Sequence, residues 1–417
     1  MSLSTSTLPP ARVFYGWVVI AAAFSVLFLS YGLQFSYGVF VTGMASELGW
    51  SRADTALPYC LYVFGYSVMS AVTGRATDRY GPRAVITTGA VLLGAGWGLS
   101  ALVTARWQIN LTLGVLAALG MSVAWVPCNA TVARWFTRRR GFAVALASSG
   151  TSFGNFLVPA LAAMAVAAAG WRVTLGSLAL LSAVLMLVAA RYMVRDPETL
   201  RLWPDGDATP PSAAALAYGS TVREVIWTEP FLMLIAIYLL TWLAVFVPFV
   251  HAAAYAEDLG LNKVAAASVI SAIGIGGVCG RLMCGLASDR LGHLPTLVAI
   301  FALQGAAFLA FAAADGLYLL WAAAVLFGCG YGGGVTVLAP LCADLFGRAH
   351  VASVVGAIFA IAASPAAVGP WVAGWIYDST GSYAAAFEWS AALNVVAMLL
   401  AVVLIQRQRR PGQPRLA

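Results

Sequence analysis

The sequence predicts an all-α membrane protein: twelve transmembrane helices arranged as two six-helix bundles, with both chain termini in the cytoplasm. Three observations predict it. The 417 residues are 61% hydrophobic and only 9% charged, with a mean hydropathy of +0.87, more apolar sequence than a soluble core uses. Apolar windows of about 20 residues, the length that crosses a bilayer, recur along the whole chain. Segments a fixed distance apart also match one another, so the helices fall into two sets.

In order, the windows lie at 15–42, 54–77, 84–104, 108–133, 141–168, 173–193, 229–252, 264–287, 295–313, 317–343, 351–376 and 385–406. The first is preceded by a short polar, Pro-ended stretch and followed by no small-residue cleavage site, so it reads as a retained helix and not a signal peptide. Charge gives the orientation. With the N-terminus inside, Arg79, Arg83, Arg138, Arg139, Arg140, Arg195, Arg290 and Arg407 fall at cytoplasmic helix ends, against Arg52, Arg106, Arg172 and Lys263 outside, as the positive-inside rule requires. The net charge of +7 is therefore a topology signal, not a nucleic-acid footprint.

The repeat has a spacing of 211 residues. Gly74-Arg-Ala-Thr-Asp78-Arg79-Tyr-Gly81 matches Gly285-Leu-Ala-Ser-Asp289-Arg290-Leu-Gly292, and Glu47-Leu-Gly-Trp-Ser-Arg52 matches Asp258-Leu-Gly-Leu-Asn-Lys263. At a spacing of 210, Ala133-Arg-Trp-Phe-Thr-Arg138 matches Ala343-Asp-Leu-Phe-Gly-Arg348. Six helices duplicated to twelve follow, as an N-terminal bundle over 1–193, a polar linker over 194–226 carrying Pro204 and Pro210-Pro211, and a C-terminal bundle over 227–417. Parallel repeats around a midplane site are the plan of a rocking-bundle transporter.

The six cysteines are scattered singly, without metal or disulfide spacing, and His251, His293 and His350 are too dispersed for a metal site. No cofactor is expected. Gly150-Thr-Ser152-Phe-Gly154 fits a hydrolase nucleophile pattern and Gly328-Cys-Gly330-Tyr-Gly-Gly333 a dinucleotide fingerprint. Both stand in apolar helices without the strand that either motif requires, so neither supports an enzyme.

One charge stands out. Arg281 lies in the otherwise apolar stretch Ala265 to Ala287, eight residues from Asp289, or about 12 Å along a helix. An arginine at that depth costs about 3 kcal/mol on insertion scales, so it faces a cavity, a partner or an anion. Its planar fork suits a carboxylate. Around it, Tyr331 sits among Gly328, Gly330, Gly332, Gly333 and Gly334 in the tenth helix, where small residues leave room for a phenol. Tyr31 and Phe35 share a face of the first helix and, with Tyr59 and Ser149, line the N-terminal side of the same pocket or serve as core. His251, near the outer end of the seventh helix, and Asp258 are the candidates for carrying a proton, although the alignment of Asp258 with Glu47 favours a helix-start or loop-fixing role for it. Asp78, Arg79, Arg83, Asp289 and Arg290 form a cytoplasmic gate whose charge pairs make and break as the halves rock.

Gly74-x-x-x-Asp78-Arg79-x-Gly81-x-Arg83 resembles the signature loop of the major facilitator superfamily, over nearly the whole chain. Tyr15-Gly16-Trp17 and Trp135-Phe136-Thr-Arg138-Arg139-Arg140-Gly141 resemble its monocarboxylate transporter branch, of the bacterial proton-coupled lactate type. The resemblance implies the major facilitator fold and an eighth-helix arginine that binds the substrate carboxylate, here Arg281. Two departures stand beside it. Phe35 occupies the place of a first-helix lysine, and Gly277 that of an aspartate four residues before the arginine, both linked to proton coupling in that branch.

The expected function is secondary active transport of a small monocarboxylate, lactate or pyruvate, with a proton, by a monomer in the inner membrane. The alternative is a carboxylate anion exchanger of the oxalate/formate type, against which stands the lack of a second buried cation: no lysine occurs between Val351 and Tyr377. A substrate-sensing receptor would need a signalling extension, against which stands the tail of only a dozen residues after Ile405, and a multidrug exporter would carry a buried carboxylate.

Overall fold

The computed structural model describes residues 14–207 and 219–408; Pro210-Pro211 of the linker lie outside them. Among the described residues the chain is all-helical, with one isolated bridge, Gly219 to Gly347, and no strand. The membrane helices are α1 (Gly16–Phe35), α2 (Arg52–Tyr80), α3 (Pro82–Ser100), α4 (Arg106–Trp135), α5 (Arg140–Ala169), α6 (Trp171–Ala190), α7 (Glu229–Asp258), α8 (Lys263–Leu291), α9 (His293–Ala312), α10 (Leu317–Phe346), α11 (Val351–Thr380) and α12 (Ala384–Gln408). Eleven spans are long and apolar enough to cross a bilayer. The twelfth helix, α3, has 19 residues, and its threonines and glycines make it less apolar.

The matched segments fold alike. Ser51 caps α2 through Asp54 N, and Asn262, 211 residues on, caps α8 through Ala265 N at 2.9 Å. The turns leaving α2 and α8 are made by Gly81 at φ 84° and Gly292 at φ 91°, a left-handed backbone that favours glycine.

Several windows are less regular than hydropathy alone suggests. The first breaks at Ser36 and resumes as Tyr37–Leu48. In α4 a π-helical stretch, Asn110–Ala117, is followed by a turn before Trp125. Within α11, Ser364–Ala367 tightens to a 3-10 turn because Pro365 brings no amide to the α-helical ladder.

Small residues set the packing. A Cβ at Gly276 or Gly280 on α8 would collide with the carbonyls of Val325 or Cys329 on α10, and one at Gly150 or Gly154 on α5 with those of Phe24 or Phe28 on α1. Lipid gives no hydrophobic drive for helix association, so close backbone approach of this kind supplies it. The α8–α10 contact fixes where Arg281 stands.

Candidate substrate site

Arg281 is 3% exposed. The carbonyl of Gly277 and the Cγ of Arg281 meet Gly332 of α10 so closely that a Cβ there would clash, which holds the stem against the glycine-rich face. From there Nε donates to Ser152 Oγ of α5 at 3.1 Å, and the guanidinium carbon lies 5.8 Å from the centre of the Tyr331 ring, within cation–π range. Nη1 is buried and has no hydrogen-bond partner, and Arg281 makes no ion pair among the described residues. A Cβ at Gly277 would stand 3.9 Å from Ser152 Oγ, so the place is open but holds no carboxylate. The site is a fixed cation, oriented by a hydroxyl and an aromatic face, with donor capacity unused.

The aromatic residues divide. The Tyr31 phenol is within electrostatic reach of Arg281, Tyr331 and Tyr66, and the Phe35 ring lies 6.2 Å from that of Tyr31 and is 39% exposed. Tyr331 packs edge-on against Phe249 and stacks with Phe327. It also lines a void of about 10 Å³ shared with Tyr238, Thr241 and Gln304. Tyr59 belongs to a second layer: it stacks on Tyr37 at 5.1 Å and accepts from Gln34 Nε2 at 3.3 Å. Ser149 is turned to its own helix, donating to the Leu146 carbonyl at 2.7 Å, so it is Ser152, one turn further on, that reaches the arginine.

His251 and Asp258 stand apart from Arg281. His251 Nε2 lies 2.9 Å from the Pro370 carbonyl, so the neutral ring keeps its proton on Nε2 and Nδ1 as acceptor. Its ring is 5.1 Å from Tyr383, which stacks at 4.2 Å on Tyr377, the hydrogen-bond partner of Asp258. At the equivalent place in the first repeat, Glu47 accepts from Arg172 Nε at 2.9 Å and Trp171 Nε1 at 2.6 Å, and these hydrogen bonds, that of Arg172 first, hold its carboxyl below the usual range.

The gate residues also divide. Asp78 is buried and pairs with Arg134 of α4, while its Oδ2 accepts from Ser353 N at 2.7 Å and from Ser353 Oγ. Asp289 accepts from Gly141 N at 2.6 Å and Phe142 N at 2.9 Å. Both are thus bound across the repeat, but neither is paired with the arginine beside it. Arg79 lies over the Tyr80 ring, and Arg79, Arg83 and Arg290 form no ion pair among the described residues: short, charged helix ends reach water more cheaply than they reach each other. The cross-links come instead from Arg134, whose Nε also donates to the Arg348 carbonyl at 3.1 Å, and from Arg140, which binds Asp344. The linker joins in through Glu198 on Arg348 and Ser220 N on the Phe346 carbonyl at 2.8 Å. One signal for these partners was in the sequence, since Arg134 and Asp344 occupy equivalent places in the third repeat match. The hydrogen bonds from Ser152 to Arg281, between Ser148 and Thr336, and from Arg134, Arg140, Asp78 and Asp289 join 14–193 to 227–408 between the Ser152–Arg281 pair and this end. The chain is closed here.

The Major Facilitator Superfamily profile matches residues 23–370 and 284–417. Human monocarboxylate transporter 11 is 31% identical over 398 residues, covering 91% of this chain and 80% of its own, and rat monocarboxylate transporter 13 is 27% identical, covering 89% and 85%. Among solved structures, the E. coli fucose:proton symporter FucP superposes with a TM-score of 0.74 at 15% identity over 94% of this chain and 99% of its own. A bacterial homologue of the iron transporter ferroportin, in an outward-facing state, gives 0.72 at 17% identity over 93% and 100%.

Proposed function

The chain belongs to the major facilitator superfamily and to its monocarboxylate transporter family, multi-pass membrane transporters and not enzymes, and from that premise we propose that it carries small monocarboxylates, lactate and pyruvate, by proton symport and alternating access. The observation that carries this reading is the buried Nη1 of Arg281, without a partner in a site whose other fixed groups are a hydroxyl and phenols. A buried cation costs several kcal/mol when unpaired, and one carboxylate removes that cost. A proton carried with the acid lets the anion enter against a negative interior.

The division into bundles over 1–193 and 227–417 joined by 194–226, with both termini cytoplasmic and a monomeric unit in a bacterial inner membrane, is part of this reading. On it, the closed end is the cytoplasmic one and the state is outward-facing, with Arg281 reached from outside between Tyr31 and Tyr331. His251 and Asp258, at the outer end of α7, are the proposed proton carriers. Counterflow of labelled lactate, pyruvate, acetate and oxalate in proteoliposomes tests it: exchange of lactate and pyruvate is expected, and exchange confined to oxalate would replace symport by the anion-exchange reading.

A further inference from the structure

On the reading that the two halves rock, we propose that His293 is the titratable residue of the cytoplasmic gate and takes up a proton as that end opens. His293 is the first residue of α9, 8% exposed, with Nδ1 2.5 Å from Asp344 Oδ2. The other oxygen of Asp344 is held by Arg140 Nη1, and Arg140 is itself fixed by the Ala133 and Phe136 carbonyls at 3.0 Å. One carboxylate therefore serves a cation from α5, in the first repeat, and an imidazole from α9, in the second.

The charged groups around the ring are few. From α10 there is Asp344; from α5, Arg140; from α8, Asp289, within electrostatic reach, and Arg290, which is exposed and unpaired. Arg348, just beyond α10, acts on Arg140. On α12, which also packs against α9, Arg407 is engaged by Glu229 of α7. Closed, Asp344 is neutralised by Arg140, and Asp289 by the Gly141 and Phe142 amides at the start of α5. The His293 Nε2 is meanwhile buried without a partner. A second proton on the ring would create a buried N–H with nothing to bind, which is unfavourable.

Opening carries α5 away, and with it both the Arg140 charge and the two amides. Asp344 and Asp289 are then left facing His293, and two uncompensated carboxylates favour the imidazolium. The ring's proton affinity is higher open than closed, so protonation stabilises the open state: the effect is present at pH below the closed-state value and lost above the open-state one. The repeat makes this one-sided. The residue 211 places before His293 is Pro82, so the equivalent clamp at Asp78 has no titratable ring.

The Gly141 and Phe142 amides report the gate directly, since they are bonded to Asp289 only while it is closed. Hydrogen–deuterium exchange of the full chain in nanodiscs, corrected for intrinsic rate, should be several-fold faster at these amides at pH 6 than at pH 8, up to about tenfold for each unit by which the two states differ in proton affinity. In His293→Gln and in Asp344→Asn the rates should be equal at the two pH values. A wild type equally protected at both, or a pH response that survives His293→Gln, overturns the proposal. Exchange driven by added lactate at fixed pH follows the rocking itself, so a His293→Gln chain that keeps both responses sinks the histidine assignment and leaves the transport reading standing.

Discussion

Asp78 and Asp289, 211 residues apart, each cap a helix of the repeat they do not belong to. Ser353 N–H donates to Asp78 at 2.7 Å and Phe142 N–H donates to Asp289 at 2.9 Å, and Ser353 is itself 211 residues beyond Phe142. Each carboxylate thus meets the positive end of a helix dipole, and the duplication becomes a two-fold clamp. Asp78→Asn should weaken it, because the charge facing the start of α11 is lost and Arg134, 3% exposed, is no longer held by an ion partner where it reaches the Arg348 and Ala349 carbonyls of the other half. Arg79→Gln should leave it shut. Reactivity of a cysteine placed at the Val351 end of α11 measures the difference, and equal reactivity in the two variants would contradict the division drawn among the gate residues.

Arg281→Gln should abolish substrate binding and uptake while the protein still inserts, since it removes both an insertion cost and the anion's partner. Arg281→Lys should recover little, because a point charge cannot make the two-pronged contact. Near-normal lactate uptake by the glutamine variant in proteoliposomes would remove the central residue from the proposal.

Ser152→Ala should weaken substrate binding by about tenfold, the size of one hydrogen bond to a charged group at the low end of its range, while Ser149→Ala should do little. Tyr331→Phe keeps the ring beneath the guanidinium and should lose less than Tyr331→Leu. Affinities from counterflow decide both comparisons; a Ser149 effect as large as that of Ser152 would mean that the Arg281 side chain is held differently when substrate is present.

The contrast between these two serines shows how far the sequence reaches. Repeat spacing and apolar windows expose the helices, and the depth of Arg281 exposes the cation, because both follow from the cost of polar groups in lipid. Which serine of α5 meets Arg281 depends on the rotation of α5 against α8, set by Gly141 and Gly285 touching backbone to backbone, and no periodicity in a uniformly apolar helix records it. Arg140 was legible as a basic residue at a helix end and Arg134 as part of a repeat match, but their choice of Asp344 and Asp78 as partners is made by tertiary contact. Ser152 stood in view inside a motif rightly set aside as no hydrolase elbow, and its actual role left no mark of its own.

His251→Ala should reduce uptake driven by a pH gradient more than it reduces lactate exchange, in which no net proton moves. Glu47 cannot account for it: its carboxyl is held low by Arg172, so the stability it adds is complete above the ordinary carboxylate range and is lost only as the pH falls below it. Equal loss in both assays would assign His251 to binding or folding. No loss in either would shift the proton to Asp258 or to the acid itself.

Charge and size together set the last expectation. With Arg281 as the only cation at that depth among the described residues, a second carboxylate would enter the pocket without a partner, and an unpaired ion there costs several kcal/mol even after relaxation. A pocket lined as proposed by Tyr31, Phe35 and Tyr331 would take acids of about two to four carbons, a size class in which van der Waals contact with the rings adds to the charge pair. Pyruvate should therefore compete strongly for labelled lactate uptake, with oxalate and succinate competing weakly at neutral pH and more strongly as the pH falls and each protonates to a monoanion. Oxalate competing as well as lactate at pH 7 would require a second positive group in the pocket, and would favour anion exchange over symport.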